Sequence, residues 1–169
     1  FIGDGMARRW LESEAAGRGL TNVQFYPYQS ADRLQWSLSV PDVHFVSLRP
    51  TLEGLIVPSK FYGIAAAGRP IIHIGDPDGE IARILDRERC GWSFCIGEVD
   101  ALAACILRLF RRRLEVIDAG LCARRAFDRK YSRVHALDSW RVLLNSAPGD
   151  LASVNVEAAV EQPVGGKRP

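Results

Sequence analysis

No apolar run in the 169 residues approaches the roughly 20 that a bilayer-spanning helix needs, so the sequence offers no transmembrane segment. No C-x-x-C pair occurs among Cys90, Cys95, Cys105 and Cys122, and His44, His73 and His135 are scattered rather than set at metal-ligand spacing. A zinc site and a disulfide framework are thereby disfavoured, and free thiols in a reducing cytosol are expected. Charge of one sign is nearly absent too: 22 Lys and Arg against 20 Asp and Glu leave +2, too little to argue for a nucleic-acid partner. No internal repeat is visible. The chain opens Phe1-Ile2-Gly3, without Met and like the middle of a strand, and is expected to be a fragment with no signal peptide of its own. What is present is the ordinary make-up of a soluble globular domain, 47% hydrophobic and 25% charged, in a length that fits one domain with a real core. His44 and His73 lie inside strand-like runs, which gives them core or sheet-edge positions by default.

The most informative stretch is 53–70, EGLIVPSKFYGIAAAGRP. Glu53 is an acid beside Gly54, a glycine that lets backbone come close to a ligand. Pro58 and Ser59 predict a helix start, with Ser59 as N-cap. Ala65, Ala66 and Ala67 continue the helix, Gly68 suits its C′ position, and Pro70 forbids more. Lys60 is out of place, because a cation in the first turn opposes the helix dipole. An anion bound there would turn that penalty into an attraction. The first reading is an acid next to a phosphate site.

Around this stretch the sequence alternates strand-like and helical runs. Residues 1–5 read as a strand end running into a Gly3-x-Gly5 turn, with a helix over 6–16. The third glycine of a dinucleotide fingerprint is replaced by Arg8, which lowers the case for a nicotinamide or flavin enzyme. A short strand is predicted over 22–25, followed by the aromatic loop Tyr26-Pro27-Tyr28. A helix over 30–37 and a strand over 43–48 lead to Arg49, which shares the loop before Glu53 and could meet phosphate or a surface ion pair. A further strand covers 71–74. Asp76 and Asp78 form a D-x-D, but inside Gly-Asp-Pro-Asp-Gly this is also what a plain turn looks like. Asp78 is the expected N-cap of a helix reaching about residue 89, ended by Cys90-Gly91. A strand over 92–96, a helix over 101–114 and a last amphipathic helix over 131–144 complete the order. Near-continuous apolar strands fit a parallel sheet buried on both faces, and in open parallel α/β sheets ligands bind beyond the carboxyl ends of the strands.

E-G followed by a short helix ending A-A-G-x-P resembles the donor-site motif of retaining GT-B glycosyltransferases of family 4. The variant P-S-K-F-Y-G-I-A-A-A-G-R-P looks most like the bacterial branch that builds O-antigen and exopolysaccharide. The resemblance covers residues 1–144. It implies a Rossmann-like α/β domain, the C-terminal donor-binding half of a GT-B fold, over 1–145 and truncated at its N-terminus, with a disordered tail over 146–169. It implies transfer of a hexose-type sugar from a nucleotide diphosphate to an acceptor hydroxyl with retention, without a metal ion or other cofactor. Glu53, which would meet the sugar hydroxyls, and Lys60, which would meet phosphate, are the catalytic candidates. Gly3, Gly5, Tyr26, Arg49, Gly54, Leu55 and Ser59 are the substrate-binding ones. The family's second glutamate falls on Gly63, counting back from Gly68, so its usual ribose clamp has no carboxylate here. An N-terminal acceptor domain and the family's upstream phosphate clamp would precede Phe1, so the fragment alone is expected to be inactive.

Arg111, Arg112, Arg113, Arg124, Arg125, Arg129 and Lys130 make the C-terminal helices basic. A solvated face is the first reading. Contact with an acidic membrane surface, in keeping with lipid-linked sugar acceptors and a cytoplasmic protein peripheral on the inner face of the membrane, is the second. Two other functions stay open: a nucleotide-sugar 2-epimerase of the same fold, and a non-catalytic nucleotide-sugar-binding module.

Overall fold

The computed structural model describes residues 1–145, and the expected disordered tail lies outside the described residues. The chain divides into two compact units, Phe1–Val40 and Pro41–Pro169.

In the first unit, α1 (Arg8–Gly17) follows the glycine turn, and a one-turn 3-10 segment, Ala31–Arg33, leads into α2 (Leu34–Ser39). The strand expected over 22–25 does not form. A single parallel bridge joins Ile2 to Tyr26, through Tyr26 N–H to Phe1 O at 2.8 Å and Gly3 N–H to Tyr26 O at 3.1 Å. Stacked rings of Phe1 and Phe25, 5.2 Å apart, close the pair. With bonds this few, the ladder is too short to count as a strand pair.

The second unit is α/β. Strands β1 (His44–Ser47), β2 (Ile71–Ile74) and β3 (Gly91–Phe94) form a Rossmann-like parallel sheet in the order β1-β2-β3, flanked by helices. Ile71 stands opposite His44 on one side and Gly91 on the other. Successive side chains of a strand point to opposite faces. Ile72 and Ile74 therefore join Cys105, Leu109 and Val116 in one cluster, with Trp92 and Phe94 against it. Ile71 and His73 are buried on the other face. Helices α3 (Lys60–Ala66) and α4 (Glu80–Glu88) pack on the strands, burying Phe61, Ile64, Ile81, Ile84 and Leu85.

Three local expectations change. Helix α4 ends on Arg89 in the left-handed region (φ 54), not on Cys90-Gly91. Gly91 opens β3 instead, because a Cβ there would lie 2.0 Å from the carbonyl oxygen of Ile71. The helix expected over 101–114 breaks at Arg112 into α5 (Val99–Arg111) and α6 (Arg113–Ala126). The chain then winds through a π-helical turn, Phe127–Tyr131, into α7 (Arg133–Asn145).

Gly68 ends α3 with φ 66, as its glycine suggests. A Cβ on Gly120 of α6 would come within 2.5 Å of the Gly68 carbonyl oxygen, so the two backbones touch. Arg124 donates to the freed Ala66 carbonyl at 2.7 Å, a cationic cap at a helix C-terminus. Several of the basic residues are paired: Arg113 with Asp42 at 2.9 Å, Arg124 with Asp128 at 2.9 Å, and Arg129 with Glu88.

Replacing Gly91 by Ala drives a methyl group into the sheet backbone, so Gly91→Ala should cost at least about 3 kcal/mol, the upper end for overpacking. Urea unfolding of variant and parent measures it, and a loss below about 1 kcal/mol would show that the strands can part without consequence.

Candidate functional site

The loop after β1 and the start of the helix after β2 both lie at the carboxyl edge of the sheet, where parallel α/β sheets bind ligands. After β1 the chain makes a 3-10 turn, Pro50–Leu52, and delivers Glu53 on extended backbone (φ −64, ψ 137). Gly54 follows at φ 77, a conformation that a side chain would resist. The half-buried Glu53 carboxylate accepts a hydrogen bond from the Glu80 N–H at 2.7 Å through Oε1. Glu53 thus caps α4 from 27 residues upstream, placing an anion at the positive end of the helix.

That cap was expected from Asp78. Instead Asp78 N–H donates to the Asp76 carboxylate at 2.9 Å, and Gly79 N–H to the Asp76 carbonyl at 3.1 Å. The D-x-D is a closed turn. Gly79, the residue at the N-cap, has no side chain to offer.

Ser59 takes the N-cap place of α3, but with helical backbone (φ −58, ψ −21) and no side-chain cap. The expected hydroxyl cap is absent because a cap bond needs extended backbone at that residue. Pro58 stands before the helix rather than in its first position. Lys60 and Arg49 are exposed cations, and neither makes an ion pair among the described residues. Leu55, Ile56 and Val57, between Glu53 and α3, expose 75%, 52% and 48% of their surface, an apolar rim that the sequence reading passed over apart from Leu55.

Beneath this edge lies His73, with 0% exposure. Its Nδ1 shares a 2.9 Å hydrogen bond with Ser93 Oγ of β3, while Nε2 has no partner. Burial pushes the imidazole below its ordinary value, against the opposing pull of the Glu53 and Asp76 carboxylates. All four cysteines are free, and burial raises the Cys90 thiol to about 12, far from reactive.

Gly3, Gly5 and Tyr26 belong to the first unit. There Arg8, read only as a missing glycine, donates through Nη1 to the carbonyls of Gly3 at 2.6 Å and Tyr26 at 3.0 Å. A basic residue three places after the Gly3-x-Gly5 turn was the available signal. Gly3 has φ 110, whereas Gly5 has open space where a Cβ would be.

The chain is 28% identical over 140 residues to WbjE of Pseudomonas aeruginosa, which is named as a glycosyltransferase. It is 32% identical over 86 residues to WcaI of Escherichia coli strain K12, named as a colanic acid biosynthesis glycosyl transferase. The similarity is to glycosyltransferases. The matches cover 83% and 51% of this chain, but only 34% and 21% of those relatives. No family model matches the chain, and no solved structure does. Among the described residues no helix is long and apolar enough to cross a membrane.

The ring of His73 gives stability a pH dependence. Burial makes the folded ring harder to protonate than the unfolded one, whose ordinary value is about 6.5, so as pH falls through that value the unfolded chain binds more protons. Its contribution is fully present above about pH 6.5 and is lost as pH falls through that value toward the folded pKa. Measured by urea unfolding between about pH 7 and 5, His73→Gln should flatten the slope of stability against pH by up to about 1.4 kcal/mol per unit. Equal slopes for the two proteins would show that the ring contributes nothing to the linkage.

Proposed function

We propose that this chain is the nucleotide-sugar-binding part of a retaining glycosyltransferase of the GT-B type, family 4, acting in bacterial surface-polysaccharide synthesis. The observation that carries the reading is the similarity to WbjE across 83% of the chain. The Rossmann-like parallel sheet, with Glu53 at its carboxyl edge, agrees with it. The donor is a nucleoside diphosphate sugar, and the acceptor is a hydroxyl on a sugar, lipid-linked and met at the cytoplasmic face of a membrane. The acceptor-binding domain is a separate part of the enzyme.

The chemical demand is to hold negative charge as the diphosphate leaves. Lys60 is exposed and unengaged, so its ammonium is available to phosphate, and Arg49 is equally open. Glu53 has Oε1 engaged by α4, and its Oε2, which takes no hydrogen bond among the described residues, accepts from donor-sugar hydroxyls. Gly54 and Leu55 line the approach, and Ser59 stands beside Lys60. In the first unit, taken by itself, Gly3, Gly5 and Tyr26 carry the turn and aromatic loop that the same reading assigns to nucleotide binding. Product analysis with labelled donor tests the reaction: a glycoside supports it, and free epimerised sugar nucleotide makes the chain an isomerase.

Two outcomes follow from this reading. The 169 residues alone should bind a sugar nucleotide and transfer nothing, and turnover at the rate of a full-length relative would refute the division of labour. Lys60→Met keeps length and removes charge, so it should weaken nucleoside diphosphate binding on the order of tenfold to a hundredfold and leave bare nucleoside binding nearly unchanged. Calorimetric titration of both ligands against both proteins decides it. Equal losses, or none, would leave Lys60 a surface residue.

A further inference from the structure

Gly79 has φ −70 and ψ 163, extended backbone that any residue adopts, so the path of the chain does not require glycine there. The Glu53 side chain does. A Cβ on Gly79 would lie 2.8 Å from Glu53 Cδ, 2.8 Å from Oε2 and 2.9 Å from Oε1. Heavy atoms in ordinary contact stand roughly 3.5–4.0 Å apart. The three near-equal distances mean that the carboxylate turns its flat face to the place where a Cβ would stand, while the next residue's N–H holds Oε1 at 2.7 Å.

We propose that Gly79 is a positioning residue for Glu53: its bare α-carbon and the Glu80 N–H form a seat that fixes the carboxylate before any ligand arrives. The inference rests on the reading that Glu53 meets sugar hydroxyls. A glutamate side chain left to itself samples many rotamers, and ordering it opposes binding. The seat removes that freedom and divides the two oxygens, Oε1 to the helix and Oε2 to the ligand. Any side chain at position 79 evicts the carboxylate.

Alanine at 79 strains no backbone and meets only the far end of a flexible side chain, so the fold should survive while Glu53 swings off its seat. The test is a double-mutant cycle in the full-length protein, combining Gly79→Ala with Glu53→Ala. The first readout needs no ligand: hydrogen exchange at the Glu80 amide. It should quicken in either single variant by the same factor, and adding Gly79→Ala to Glu53→Ala should change nothing more. The second readout is binding of UDP-glucose, UDP-N-acetylglucosamine and GDP-mannose, each compared with UDP or GDP. Gly79→Ala should erase about tenfold of the preference for sugar nucleotide over nucleoside diphosphate, as Glu53→Ala does, and leave nucleoside diphosphate binding intact. Unchanged Glu80 exchange in Gly79→Ala, an equal loss for both ligand types, or a full Gly79→Ala effect in the Glu53→Ala background would overturn the proposal. If the parent protein prefers no sugar nucleotide over its nucleoside diphosphate, the functional reading fails, and the Glu80 amide alone decides the seat.

Discussion

Strand β2 has hydrogen-bonded neighbours on both edges and buried side chains on both faces, and the helices on either side of Glu53's edge of the sheet connect through it. The strand is only Ile71–Ile74, yet Ile71, Ile72 and His73 are at most 1% exposed. Full burial of an Ile or Phe contributes about 1.5–3 kcal/mol, and Phe61, Ile64, Ile81 and Leu85 from the flanking helices add their share around it. The close pass of Gly91 against Ile71 fixes how near β3 can lie, and with it where His73 finds Ser93. Helix α3 ends where β2 begins, and α4 begins where β2 has ended. Moving this one strand would therefore shift both helices that meet at the carboxyl edge.

The two helices at that edge are electrically unlike. The positive end of α4 is already answered from within the protein by the Glu53 carboxylate. At the start of α3 stands a lysine, which adds positive charge to an end that already carries some. The α4 end thus has its anion built in, while the α3 end has none among the described residues. The proposed roles of Glu53 and Lys60 rest on this difference in charge. A single hydrogen bond across 27 residues sets this polarity.

Much of the architecture could be read from the sequence because it is written in local chemistry. Apolar runs at 43–48 and 71–74 gave parallel strands, Gly68 gave the end of α3, and the Gly-Asp-Pro-Asp-Gly run was already turn-like. Two of the misses, the cap of α4 and the place of Gly91, turn on a contact between residues far apart in the chain. Ser59 and Asp78 looked like caps by residue type, but the backbone at Ser59 is helical and the true cap of α4 arrives from Glu53. Gly91 looked like a helix stop and is a point of close strand approach. The strand at 22–25 had the right residues and lacked the length of ladder to make it one. At the site, Glu53 and Lys60 stood out as an acid and an anomalous cation, whereas the orphaned Nε2 of His73 carries no mark in the sequence beyond residue type.

Helix α3 is gripped at both ends. Near its start the ring of Phe61 meets Tyr62 and Tyr131 edge-on, each 5.4 Å away, and at its finish Gly68 rests on Gly120 while Arg124 takes the Ala66 carbonyl. A short helix of seven residues would ordinarily fray in water. These contacts oppose fraying at each end of the helix. To the extent that those contacts hold the end of α3 in place, a molecule docking there has less of the protein to order on binding.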